Sequence, residues 1–423
     1  MTEVVIAGGG FGGVGAALGA VKAGAEVTLL ERTDMLLGTG LVGGIFRNNG
    51  RFTATEEAIA MGAGEIFHIM DRIARHRNVE FPRHKHASLY DIYKIEPEIR
   101  KFLKKIGVEI RFEFRASKIK MESKKIRSVI ADSGEEIGGD VFIDATGTSA
   151  TPKNCTNYGN GCAYCVLRCY TFKPRRSITE MAGVKEYNRM RENGTPGVLS
   201  GACDLAKESL SEELRRELDE KGVVVIPIPK DMMDENKLKI KACVQYAHPE
   251  FIENIVLLDT GSAKLMSAYL PLDLLREIPG FENARYEDPL GGGKGNSVRF
   301  VGMAVRDNTL KAMGVDNLFV AGEKSGPQVG HTEAITTGVL AGYNAVLSAE
   351  GKECIELPRN TVIGDFIAFI NDEVKKENPI KRGYTYSGGL YFERMTQLGL
   401  YSTDVEGVQA RVEKLGLRGI FGG

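Results

Sequence analysis

The chain has 423 residues, with 55 basic and 56 acidic side chains and a net charge of −1. Such a balance supplies no global field for nucleic acid or an anionic membrane, and the length suits two or three domains with ample core. No apolar run approaches the ~18 residues of a membrane span, and the N-terminus lacks a basic-then-apolar secretory pattern, so a cytoplasmic protein is expected.

The first thirty-one residues organise the rest of the chain. A strand over Val4 to Ala7 runs into Gly8-Gly9-Gly10-Phe11-Gly12-Gly13, a helix of small residues comes next, and a second strand, Glu26 to Leu30, ends on Glu31. Gly8, Gly10 and Gly13 fill the three glycine positions of a dinucleotide-binding turn. The first permits the tight turn, the second lets backbone approach a pyrophosphate, and the third lets helix and strand pack closely. The helix start offers N–H groups and a positive dipole end to phosphates. Glu31 lies 23 residues past Gly8, the spacing of a ribose-binding carboxylate, with Arg32 beside it. The chain is expected to bind a dinucleotide.

Further along, Glu56 to Arg77 reads as a helix. It leads into a basic run, Arg72, Arg75, His76, Arg77, Arg83, His84, Lys85 and His86, which is either a solvated face or an anion-binding wall. Glu96 to Ile106 is an amphipathic helix and Val108 to Phe114 a strand. Lys118 to Met121 and Ile126 to Ala131 form a hairpin, and the strand Val141 to Asp144 ends on Ala145-Thr146-Gly147.

The succession of glycine turn, Glu31, "GVEIRF", hairpin and "DVFIDATGTS" resembles the two-dinucleotide-binding-domain flavoproteins. Within them it is most similar to the FAD-dependent oxidoreductase group related to the glucose-inhibited division protein A family. The stretch DNLFVAGEKSGPQVGHTEAITTGVLAGYNAV, residues 316 to 346, resembles that group's closing strand, loop and helix. The resemblance implies FAD as cofactor. It places the second Gly-rich loop, with Gly38 and Gly40, over the flavin side, Ala116 near the adenine half, and Ala145, Thr146 and Gly147 against the cofactor. Gly322 and Glu323 end the closing strand where a carboxylate can accept from ribityl hydroxyls. Thr332, Glu333 and Ala334 open a helix whose positive end can face the flavin's carbonyl edge. His331, at the same helix start, is the histidine best placed for catalysis.

The implied fold class is α/β: a glutathione-reductase-type FAD-binding Rossmann domain with an inserted α+β substrate domain and a helical C-terminal tail. The expected division is a discontinuous FAD-binding domain over 1–150 and 306–350, a Cys-rich segment over 151–176, an inserted substrate domain over 177–305 and a helical region over 351–423. Cys203 to Gly222 reads as a charged surface helix, and Val223 to Pro229, Lys237 to Ala247 and Asn254 to Thr260 as strands of the insertion. Gly291 to Gly295 is a flexible loop or an anion cradle, and the tail is either a cap over the active site or a self-association surface, giving a homo-oligomer.

Four of the seven cysteines, Cys155, Cys162, Cys165 and Cys169, follow the Ala-Thr-Gly turn in a C-x6-C-x2-C-x3-C pattern. Four thiolates at such spacing can ligate an iron–sulfur cluster or, alternatively, zinc, and a redox dithiol is a third option. The leading functional expectation is therefore an FAD-dependent oxidoreductase that passes electrons between a small substrate or redox carrier and this four-cysteine site. The alternatives are a flavin- and folate-dependent RNA-modifying enzyme of the uracil methyltransferase kind, and a flavin-bearing redox sensor with structural zinc. The balanced charge argues against a nucleic-acid partner.

Overall fold

In the computed structural model the described residues are 1–147, 172–173, 175–190, 198–199, 203–236, 244–267, 270–287, 298–299, 302–376 and 382–422. The centre is a five-stranded parallel sheet in the order Leu318–Val320, Val141–Asp144, Glu3–Ala7, Glu26–Leu30, Glu109–Arg111. Its registers are simple: Ile6 pairs with Ile143 on one side and Leu29 on the other. All of Val4 to Ala7 is buried, as expected of a parallel strand covered on both faces. The sheet order carries the chain from the first strand outward to Glu26–Leu30 and back across to Val141–Asp144. The carboxyl ends at this reversal form the crevice where α/β sheets bind ligands.

The helix Phe11–Lys22 lies against the helix His331–Ala349, and glycine makes the approach possible. A Cβ on Gly15 would stand 2.6 Å from the Ile335 carbonyl oxygen, and one on Gly19 2.1 Å from that of Val339. In return, a Cβ on Gly342 would stand 2.0 Å from the Ala16 carbonyl oxygen. The small-residue composition of both helices is thus a packing requirement, satisfied across more than three hundred residues of sequence.

Among the described residues three antiparallel sheets of three or four strands accompany this core, beside two two-stranded ones. Ala116–Glu122, Lys125–Ala131 and Glu136–Gly138 form one, and Ile45–Phe46, His84–Tyr90 and Ala74–Phe81 another. The third, Cys203–Leu205, Ala263–Leu265, Asn254–Asp259 and Val223–Pro227, lies within the expected insertion. Its helix, Glu212–Lys221, buries Leu214 and Leu218 and presents charges elsewhere. The tail contributes helices Val362–Lys376, Gly389–Gln397 and Val405–Lys414. Its aromatic residues pack together, with the Phe366 and Tyr386 rings 4.3 Å apart and those of Phe366 and Tyr391 4.6 Å apart.

Two expected elements differ. The helix over Glu56 to Arg77 is two helices, Gly50–Ala60 and Glu65–Arg72, followed by a strand from Ala74. Gly62 breaks it, at φ +88°, a left-handed conformation that ends a helix. Cys203 opens a short strand, and the helix of that region starts only at Glu212, where Ser211 accepts from the Leu214 N–H as N-cap. Most of Lys237 to Ala247, and all of Gly291 to Gly295, lie outside the described residues.

Candidate cofactor-binding site

The glycine turn shows three separate physical roles. Gly8 has φ +107°, and a Cβ there would sit 2.4 Å from the Ala145 carbonyl oxygen, so the turn packs directly on the Ala145-Thr146-Gly147 backbone. A Cβ on Gly13 would sit 1.8 Å from the Gly8 carbonyl oxygen. Gly10 differs: nothing stands within 4 Å of a Cβ position there, and the residue faces the cleft. That open space is what a pyrophosphate approaching the backbone requires.

Glu31 is buried, and its carboxylate is held from two sides. The Gly9 N–H donates to Oε2 at 2.9 Å and the Thr33 N–H to Oε1 at 2.9 Å. The Thr33 hydroxyl also donates to Oε1 at 3.0 Å, so the group is fixed and Oε2 is the oxygen that keeps a lone pair for a ribose hydroxyl. Arg32, Gly38, Arg115, Ala116, Ala145, Thr146 and Gly147 line the same cleft. Gly322, Glu323, His331 and Ala334, from the closing strand and helix, line it too.

Four of the expected contact residues stand back from the cleft wall. Gly13 serves helix–turn packing. Gly40 lies under the Phe11 ring, and its carbonyl accepts from the Tyr90 hydroxyl at 2.8 Å. Thr332 is buried with an unpartnered hydroxyl. Glu333 is fully buried and turned inward: Arg51 Nε donates to its two oxygens at 3.1 and 3.0 Å, and the Tyr386 N–H donates to Oε1 at 2.9 Å. Its role is to tie the start of the closing helix to Arg51 and to the tail. A fixed, neutralised ion pair here leaves the helix N-terminus with its positive end uncancelled by the carboxylate.

His331 is half-buried between rings and backbone. Its ring centroid is 5.0 Å from that of Phe11, and its Nδ1 lies 3.2 Å from the Tyr90 hydroxyl. Burial raises the Tyr90 phenol well above its ordinary pKa, so it keeps its proton. With that single proton directed to Gly40, the hydroxyl accepts from His331 Nδ1–H. A Cβ on Gly43 would stand 1.7 Å from His331 Cε1, so the second Gly-rich loop is glycine at that point to admit this imidazole.

The far wall holds residues that sequence reasoning did not single out. Lys264, buried, bonds the Val42 carbonyl and lies 3.9 Å from Asp204; burial raises the Asp204 carboxyl against the pull of Lys264. Gln245 and Tyr246 line the wall beside it. Behind them His84 is 1 % exposed, accepts at Nδ1 from the Asn48 amide at 3.0 Å and donates from Nε2 to the Gln245 carbonyl at 3.2 Å. Burial pushes its pKa down to about 3, so it is neutral. No local motif announces these side chains, because the insertion and the core meet here only in three dimensions.

The basic run after Arg72 is largely neutralised. Arg72 pairs with Glu98, Arg75 with Asp259 and Asp91, and Arg83 with Glu250, while His76 Nε2 is 2.8 Å from Asp259. Burial would raise the Asp259 carboxyl, but bonds from His76, Arg75 and Lys207 hold it far below the usual range. This is a clasp between strand Ala74–Phe81 and the insertion. Cys155, Cys162, Cys165 and Cys169 lie outside the described residues, and among the described residues no His, Cys, Asp and Glu group could hold a metal ion. No helix among those residues is long and apolar enough to cross a membrane.

The space over Gly10, the fixed Glu31 and the helix start at His331 fit a flavin adenine dinucleotide, so fold and cleft define an FAD-binding flavoprotein. Residues 3–150 match the family described as FAD dependent oxidoreductase, and residues 253–353 the family described as Glucose inhibited division protein A. The chain resembles the group of flavoproteins related to the latter. The solved structure of Aquifex aeolicus GidA superposes with a TM-score of 0.69 at 17 % identity, covering 99 % of this chain and 74 % of that one, a likeness of fold. Two curated relatives are named methylenetetrahydrofolate–tRNA-(uracil-5-)-methyltransferase TrmFO. That of Caldicellulosiruptor bescii is 34 % identical over 111 residues, 26 % of this chain and 25 % of the relative. That of Prochlorococcus marinus is 33 % identical over 156 residues, 34 % of this chain and 30 % of the relative. The matched stretch thus spans less than a third of either relative's own length.

These names overturn the leading expectation of a flavin enzyme exchanging electrons with a four-cysteine cluster. The relatives are methyltransferases, and neither matched family description concerns iron–sulfur or zinc. The spacing of Cys155 to Cys169 permits four-thiolate ligation, but spacing alone does not make a metal site. Enzymatic character stands, whereas a specific oxidoreductase activity does not follow from these matches.

Proposed function

We propose that the chain is a flavin- and folate-dependent RNA-modifying enzyme acting on uracil. The observation that carries this reading is the likeness to the relatives named as folate–tRNA uracil methyltransferases, 34 % and 33 % identical over 111 and 156 residues. It stands beside a cleft to which residues 3–150, matched to the FAD dependent oxidoreductase family, contribute the glycine turn and Glu31. The chemistry is coherent with a flavin. A methylene unit carried by tetrahydrofolate is one two-electron reduction short of a methyl group, and bound FAD supplies electrons in pairs.

Within that reading the chain's residues have distinct tasks. Glu31 and the space over Gly10 bind and orient the dinucleotide. His331, braced by Tyr90, lines the cleft at the start of the closing helix, where a hydrogen-bond donor would favour negative charge on the flavin. Tyr246, Lys264 and Met266 form the wall against which a flat substrate ring would rest. A nucleic-acid partner runs against the balanced net charge, so recognition must come from a local surface.

The test supplies flavin-loaded protein with a tRNA transcript, labelled methylenetetrahydrofolate and a chemical reductant for the flavin. Label should appear at C5 of a uracil. Absence of label with loaded protein and reduced flavin would sink the proposal.

A further inference from the structure

One group of charges on the cleft wall plays no part in the glycine turn. Arg175 and Arg176 line the cleft together with Arg32 and Arg115. Arg175 lies between two segments of the lining: its Nη1 is 3.3 Å from the Cβ position of Gly147 and its Nη2 3.6 Å from that of Gly38. Those two glycines belong to the turn after Val141–Asp144 and the loop after Glu31.

The backbone around this arginine is pinned on both sides. On one side Arg32 Nη1 donates to the Lys173 carbonyl at 2.8 Å. On the other, Ser177 is fully buried with its Oγ 3.0 Å from Asp144 Oδ2, and the Thr179 N–H donates to the same carboxylate oxygen at 2.9 Å. Lys324, also fully buried, reaches Ser177 Oγ and Glu186 at 3.2 Å each. Burial alone would raise the Asp144 carboxyl, yet Lys324 and the bonds from Thr179 and Thr146 hold it ionised. The root of the segment is therefore rigid. Nearby, Arg115 Nη1 meets both oxygens of Asp132 and Lys173 meets one. Arg176 Nε is buried without a hydrogen-bond partner.

We propose that Arg175 and Arg176 form a guanidinium strap that grips the cofactor's pyrophosphate from the side opposite the glycine turn. The turn contributes backbone N–H groups and a helix dipole, neither of which carries a full charge against a doubly negative pyrophosphate. A planar guanidinium fork supplies that charge with matched geometry, and anchoring its root in advance reduces the entropy lost on binding. The inference rests on the reading of the cleft as an FAD site.

The experiment uses full-length, flavin-loaded protein and follows FAD release after dilution by recovery of flavin fluorescence at several ionic strengths. Release from the wild type should quicken with salt. Arg175→Ala should release FAD roughly tenfold faster or more, with a flatter salt response, and Arg175→Lys should fall between. Arg176→Ala should move the same way. In flavin-stripped protein, ADP should protect the wild type against heat better than adenosine, and Arg175→Ala should lose that advantage. Unchanged release, or equal loss of protection by ADP and adenosine, overturns the strap. So does unchanged release with weakened RNA retention, which would assign these arginines to nucleic acid. Protein that never carries flavin would sink the cofactor assignment as well.

Discussion

The two ends of the cleft are built on different principles. At the nucleotide end, backbone does the work: glycines at 8, 10 and 13 and the N–H groups that hold Glu31 all lie within a few dozen residues of one another. At the flavin end, side chains from distant stretches meet, with Arg51 on Glu333, Tyr90 on His331, and Lys264 on Val42. The first kind of construction fails by steric clash. The second fails by leaving a buried charge or polar atom unpaired, and the difference can be measured.

The largest effect should come from Gly13→Val, which drives a methylene into the Gly8 carbonyl and should leave little soluble protein. Gly10→Val, with open space at the Cβ position and an extended backbone, should instead fold with a near-normal melting temperature and purify with little flavin. If both variants behave alike, the division of roles within the turn is wrong.

At the other end, Arg51→Met leaves Glu333 buried and unpaired, and should cost about 3–5 kcal/mol in denaturant unfolding. The double variant Arg51→Met with Glu333→Leu should recover much of that loss, because no orphan charge remains. Failure to recover would mean that Thr385 and the Tyr386 N–H depend on Glu333 for more than charge balance.

Acid should weaken the flavin end through His84. Its folded pKa, about 3, lies below the unfolded value near 6.5, so the unfolded chain binds more protons between those limits. Its contribution is fully present above about pH 6.5 and is lost as the pH falls, on the order of 2 kcal/mol by about pH 5. His84→Gln should flatten that part of the stability profile in urea titrations, and an unflattened profile would mean that another group carries the acid sensitivity. The smallest effect is expected from His331→Ala. Loss of one donor near reduced flavin should lower its reduction potential by roughly 30 mV with FAD still bound, and an unchanged potential would mean the imidazole only packs.

The same contrast explains how much was legible before the structure. The strands Glu3–Ala7, Glu26–Leu30 and Val141–Asp144 and the turn between them follow from local glycine and apolar spacing, and the closing helix from its small residues. That the Glu333 carboxylate turns inward could not be read ahead, because its partner, Arg51, lies 282 residues away and has no sequence signature. Lys264 and Tyr246 were missed for the same reason, and His84 was read only as part of the basic run. The long helix over Glu56 to Arg77 erred on Gly62, whose left-handed φ outweighed a favourable apolar pattern. The basic run looked like a surface because its carboxylates, Asp259 and Glu250, come from the insertion.

The position of Leu318–Val320 at the edge of the parallel sheet has a consequence for how the molecule is made. The strand Glu3–Ala7 leaves the ribosome more than three hundred residues ahead of Leu318–Val320 and of the helix that packs on Phe11–Lys22. At ~5–20 residues per second the glycine turn waits tens of seconds with one side of its helix bare. During that interval Val14, Leu18 and their neighbours need a chaperone, or a transient partner within the nascent chain. Cofactor capture therefore waits until residue 349 has emerged, and a stalled chain ending before Leu318 should bind chaperone and no flavin.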